Sequence, residues 1–274
     1  STTKIFNQNN QFMSTQGSLI NKFLKFFLIP LFFLVSSTNV QAFDFSDWDL
    51  ILKKYIKSGL VEGVSINTVA YGELMKDPIF HRLVNNLKIS PLSRLTTKDE
   101  KLAFWINVYN IFAVKVVTDN YPLSSIKDVG GLFKSVWKIR AGTVNRKEYS
   151  LGEIEHGILR KIGDPRIHSA IVCASISCPD LSIEVYKSEK IDYQLDLQMR
   201  KFLANPNKGM RIEDNKPLKI FLSPIFDWFA DDFESRGGVL NFIKPYVLPE
   251  YKSALNNLEY SILYMDYNWS INGS

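Results

Sequence analysis

Thr97-Lys98-Asp99-Glu100, continuing as Lys101-Leu102-Ala103-Phe104-Trp105-Ile106-Asn107-Val108-Tyr109-Asn110-Ile111-Phe112-Ala113, is the stretch on which the fold turns. Thr97 and Glu100 form a capping box: the threonine hydroxyl accepts from the Glu100 amide, and the carboxylate reaches back to the start of the helix. The run is apolar on nearly every side to about Thr118, and Tyr121-Pro122 stops it. A helix without a polar face belongs at the centre of a domain. Against that background Glu100, Asn107 and Asn110 are spaced by seven and three residues and share roughly one face. Buried amides need partners, so Asn107 and Asn110 read first as internal hydrogen-bond fixtures. Trp105, Tyr109 and, further on, Trp137 read as core.

Working outward, Phe43–Gly59 has helical spacing at Trp48, Leu52, Tyr55 and Ile56. Val64–Tyr71 is β-branched and extended, and Asp77-Pro78 opens a helix through Leu87. Beyond the central helix, Gly130–Trp137 reads as a loop, and Val136–Ala141 with Thr143–Tyr149 as a hairpin around Gly142. Ser150-Leu151-Gly152-Glu153 is a second capping box, opening a short helix that carries His156 and Arg160. Arg166–Val172 reads as an apolar strand that delivers Cys173 into the loop Ala174-Ser175-Ile176-Ser177-Cys178-Pro179. A helix at Asp192–Ala204, a strand at Leu218–Leu222 and a helical tail from Phe226 complete the pattern. The irregular alternation predicts an α/β fold of the α+β type, a single mixed helix and sheet domain over residues 43–274.

Residues 1–42 differ from all of this. They hold no Asp, Glu or Arg, and Lys22 and Lys25 precede an apolar run from Phe26 to Val35, after which polar Ser36-Ser37-Thr38-Asn39 leads to Val40-Gln41-Ala42. That order predicts a signal peptide, with Met13 as the start and cleavage after Ala42, and so a periplasmic or extracellular protein. The apolar run is shorter than the ~20 residues a span needs, so no permanent membrane span is expected. Removing the three lysines of this segment takes the formal net charge from +5 to +2. No basic stripe remains, which excludes nucleic acid as a partner. Two cysteines are too few for a disulfide scaffold.

The chemistry centres on Cys173, placed where a buried strand is expected to give way to a loop. A thiol becomes a nucleophile when a neighbour lowers its pKa, most simply a histidine. The chain has three: His81, His156 and His168. Strand alternation over 167–173 would turn His168 away from Cys173, and His81 lies on an ordinary amphipathic helix. His156 remains, and on the residues alone it reads either as a helix histidine bonded to backbone or as a base with Glu100, Asn107 or Asn110 as its orienting group. Glu155, adjacent to His156, projects about 100° away on a helix. The other reading of the cysteines is a Cys173–Cys178 disulfide, which export favours. A zinc site from two cysteines and two histidines fits no common spacing, so no metal or cofactor is expected. Arg160 and Arg166 read as solvated or ion-paired.

Three blocks, Glu100–Asn110, Tyr149–Arg160 and Asp164–Pro179, together resemble the family called domain of unknown function 547, over about residues 100–203. The resemblance implies a fold likened to papain-like cysteine peptidases and a Glu, His, Cys triad in that chain order. Carried over, those roles fall on Glu100, His156 and Cys173. The expected function is a cysteine-dependent hydrolase or acyl transferase acting on an unidentified small molecule or peptide. The other class is a non-enzymatic binding or scaffold domain with the disulfide formed.

Overall fold

Helix α1, Ser46–Tyr55, packs Trp48, Ile51, Leu52 and Tyr55 inward and ends earlier than its spacing predicts. Ile56 onward turns instead into β1, Ile56–Val61, which pairs antiparallel with β2, Val64–Val69. Glu62 and Gly63, at φ +50° and +80°, close the turn between them. Short helix α2, Tyr71–Leu74, leads to α3, Pro78–Leu87, where the Asp77 side chain accepts from the Ile79 amide and Pro78 takes the first helical position. Both Thr97 and Glu100 make their capping-box bonds at the head of α4, Lys98–Asp119. Sixteen of its residues are buried, so α4 is the central helix its composition predicts. The structure, a computed structural model, describes residues 43–130, 134–214, 217–256 and 259–274. The expected signal segment and part of the loop read at 130–137 lie outside the described residues.

The hairpin is β3, Arg140–Val144, with β4, Lys147–Ser150. Its turn is Asn145-Arg146, both at positive φ, not Gly142. Asparagine tolerates that region because its short polar side chain bonds locally. Gly142 serves another purpose: a Cβ there would stand 2.4 Å from the Phe112 ring of α4, so glycine lets the strand lie against the central helix. Helix α5, Leu151–Ile154, opens on the second capping box and runs into a π-helical turn, Glu155–Leu159, then α6, Arg160–Ile162.

Arg166–Val172 is not a strand. The Asp164 side chain accepts from the Arg166 amide, Pro165 takes the first position, and Pro165–Ser169 winds into a 3₁₀ helix. Its apolar residues are buried against other elements and pair with no sheet. Alternation therefore says nothing about where His168 points. Helix α7, Ile191–Leu203, follows, then the antiparallel pair β5, Met210–Glu213, and β6, Leu218–Leu222. The tail comprises α8, Ile225–Trp228, a 3₁₀ helix Ala230–Arg236, α9, Val239–Ile243, and α10, Pro249–Ala254. β7, Tyr260–Tyr264, joins β6 in parallel, which the sequence reading did not anticipate. The result is a mixed helix and strand fold with three small sheets among the described residues. None of those residues forms a helix long and apolar enough to cross a membrane.

Candidate active site

Three segments meet at Cys173. Asn110 of α4 bonds the chain just before it, donating to the Ala170 carbonyl at 3.0 Å and accepting from the Val172 amide at 3.0 Å. Asn107 grips Tyr186 in the same two-way manner. Just after the cysteine, buried Ala174 sits at φ +57°, a conformation costing an L-residue about 1 kcal/mol. The C-terminal tail holds it there: the Asn272 amide donates to the Ala174 carbonyl at 3.0 Å, and Ile176 and Ser177 donate to Ser270 and Asn268. The same tail lays Tyr267 over the thiol.

Cys173 is partly buried and, like buried Cys178, is a free thiol. Its Sγ lies 3.2 Å from both Ser175 Oγ and Tyr267 Oη, and its amide donates to Cys178 Sγ at 2.9 Å. The hydrogen bond from the Cys178 thiol is the largest influence on Cys173 and draws its pKa down, with Ser175 and Tyr267 assisting against burial. Burial pushes Cys178 the other way. The pair therefore keeps its last proton on Cys178 and offers Cys173 as the thiolate. Cys178→Ala is expected to move half-maximal alkylation of Cys173 to higher pH, read by peptide-resolved mass spectrometry. An unchanged midpoint would show that the second thiol plays no such part.

Cys173 opens into a cavity of about 300 Å³. Its wall includes Glu155, His156, His168, Trp137, Trp228, Phe229 and Trp269. His168, buried, stacks on Phe229 with centroids 4.1 Å apart, and its Nε2 lies 2.7 Å from Asp232 Oδ2. Arg160 clamps the same carboxylate in a two-pronged grip at 2.7 Å on each oxygen. Burial works against ionised Asp232, but the bonds from His168 and Arg160 outweigh it and hold the carboxyl well below its usual range. An ionised carboxylate only accepts, so Nε2 of His168 carries the proton and Nδ1 keeps a lone pair. Burial also lowers the His168 pKa, which favours this neutral form. His156 has the opposite arrangement. Arg160 Nη1 donates to its Nδ1 at 3.2 Å, so its proton sits on Nε2.

Glu155 is buried, while His156 beside it is exposed. The 100° between neighbours on a helix, which counted against Glu155 in the sequence reading, is what turns it inward. Its Oε2 lies 3.3 Å from Tyr109 Oη, and burial pushes its carboxyl up to about 7. Because the folded pKa is raised above the ~4.3 of an exposed glutamate, the stability it contributes is full below about pH 4 and lost as pH rises through 7. At about 1.4 kcal/mol per pH unit, the loss is on the order of 4 kcal/mol. Glu155→Gln is therefore expected to be more stable than the parent at pH 8 and equal to it near pH 4.5. Urea midpoints at the two pH values check this, and a difference independent of pH would contradict it.

Glu100 is elsewhere. Its Oε2 accepts from the Thr96 and Thr97 amides and the Thr96 hydroxyl at 2.8–2.9 Å, bonds that lower its pKa. Nine residues of α4, about 14 Å, separate it from Tyr109 at the cavity. Cys173, His156 and His168 are thus brought together, and Glu100 is not among them. His81 is exposed and bonds the Met75 carbonyl. Arg166 is ion-paired to Asp164, Asp192 and Asp196. The described residues contain no cluster suited to a metal ion.

The blocks that hold Tyr109, Glu155, His168 and Cys173 all fall inside one segment with a family counterpart. Residues 92–203 match the DUF547 family. Its description is a protein of unknown function, and no curated protein and no solved structure matches the chain. The DUF547 segment supplies the thiols, both cavity histidines and Glu155. Asp232, Trp228, Phe229, Tyr267 and Trp269 come from beyond it. The sequence reading missed these five, and the one signal for them was the density of aromatic residues at 226–229 and 267–269.

Proposed function

We propose that this protein is a cysteine-dependent hydrolase or acyl transferase, with Cys173 as nucleophile and His168 as base. One observation carries the reading: a thiol with a lowered pKa and a carboxylate-held imidazole line the same cavity. His168 takes the Cys173 proton, and the sulfur attacks a carbonyl carbon as the π pair moves to oxygen. Collapse of that adduct expels an amine, thiol or alcohol, which takes the proton back from His168. The thioester on Cys173 is then resolved by water or a second nucleophile, whose proton passes through His168 to the departing sulfur. Asp232 orients the ring and stabilises the imidazolium. His156, presenting an N–H, suits hydrogen-bond donation to the substrate better than the role of base. Glu100 serves α4 as its cap.

Incubating the native protein with a panel of thioesters and aryl esters tests the proposal. A mass increase equal to the acyl group should appear on the Cys173 peptide and decay with turnover. Turnover without any acyl group on Cys173 under rapid quench would overturn it. The same reading includes export, with residues 1–42 removed; a secreted or periplasmic form beginning near Phe43 is the expected product. A second reading, a binding domain with Cys173 and Cys178 joined, is favoured by the thiols' mutual hydrogen bond.

A further inference from the structure

We infer that the acyl group taken by this site is apolar, an alkyl or arylalkyl chain of about ten non-hydrogen atoms seated with its carbonyl at Cys173. The inference rests on the reading of Cys173 as a nucleophile. The cavity of about 300 Å³ has room for roughly ten water-sized groups at ~30 Å³ each. Most of its polar atoms are engaged within the protein: Tyr267 faces the thiol, Glu155 bonds Tyr109, and His168 Nε2 bonds Asp232. The two left open, Nδ1 of His168 and Nε2 of His156, are taken up by the thiol proton and the reacting carbonyl. Beyond them the wall is Ile171, Val172, Ile225, Trp228 and Phe229. A sugar or peptide backbone would leave its hydroxyls or amides without partners there, at a cost per group that excludes it.

Charge excludes the other classes. A cationic body would need an open aromatic face and a counter-charge, and Glu155, the one carboxyl among the described lining residues, bonds Tyr109 and is driven toward its neutral form by burial. Lys127 already stands over Trp269 at 4.8 Å and Arg160 over Phe229 at 5.2 Å, and Asp232 is shared by Arg160 and His168. An anionic body would meet the Cys173 sulfur, with no lysine or arginine among the described residues of the lining to receive it. A neutral, apolar chain is what remains. Trp228, 49% exposed and stacked on Trp269 at 5.9 Å, forms the mouth through which it enters.

The test is alkylation of Cys173 in the native protein by N-alkyl iodoacetamides from methyl to octyl, each rate divided by that with glutathione. Full burial of a methylene raises the rate about fourfold. The normalised rate should therefore climb by two- to fourfold per carbon and level off once the cavity is filled. Trp228→Ala should flatten the climb. Probes of equal length with ether oxygens in place of alternate methylenes should lose most of it in the unmodified protein. Labelling that is flat with chain length, or equal for the ether probes, overturns the inference and leaves the nucleophile intact. No labelling of Cys173 by any probe overturns both.

Discussion

Cys173→Ala is expected to abolish the acyl-enzyme and to lower turnover by at least about 10³-fold while the protein stays folded. The loss is large because no other group in the cavity can form the covalent adduct. Cys178 is buried and holds its proton more tightly, and Tyr267 is pushed far above its usual pKa by burial. The fold should survive because the alanine removes a single atom. Ser175 and Tyr267 remain 3.3 Å apart and keep each other satisfied, and the backbone amide at 173 still reaches Cys178. A destabilisation of about 1 kcal/mol follows, the ordinary cost of a small deletion. Intact mass after quench, turnover and thermal melting measure the three quantities on one preparation. A folded Cys173→Ala protein that turns over at the parental rate would end the account.

Asp232→Asn should be nearly as damaging to catalysis, with a fall in kcat/KM of about 10²- to 10⁴-fold. The carboxylate fixes the tautomer of His168: it takes the Nε2 proton and leaves Nδ1 free to accept one. An asparagine can instead turn its amide N–H toward Nε2, which moves the ring proton to Nδ1 and blocks the base. Arg160, now without a charged partner for its guanidinium, loses its anchor as well. Asp232 is also the group that raises the His168 pKa against burial. Its loss should thus move the limb of the pH–rate profile that reports His168 to lower pH. A merely structural role would lower activity without moving that limb, so the profile separates the two.

How much of this could be read from the chain depends on which interactions are local. The capping boxes at Thr97 and Ser150 and the helix start at Asp77-Pro78 involve residues within three positions of each other, and all stand as read. The 166–172 segment was misread because an apolar run looks alike in a strand and a buried turn. The Asp164 cap decided between them. That error removed His168 from consideration. The partner that makes His168 informative, Asp232, is 64 residues away, and nothing local announces such a contact. Tyr267 lies 94 residues from Cys173 and was equally invisible. Cys173 and His156 were legible as cavity residues because a loop after a buried segment and a capped helix are local features. Glu100 was legible as a cap, and its carboxylate accepts from Thr96 and Thr97 at the head of α4. The pairing of β6 with β7 spans some forty residues of tail and carries no sequence signal of comparable strength.

The most direct test is the rate of iodoacetamide labelling of the native, unreduced protein as a function of pH, resolved by peptide. The account predicts that Cys173 labels with a midpoint below the ~8.5 of an ordinary thiol while Cys178 stays unlabelled. Labelling of neither cysteine until reductant is added would instead show a Cys173–Cys178 disulfide, and the nucleophile would not exist in the resting protein.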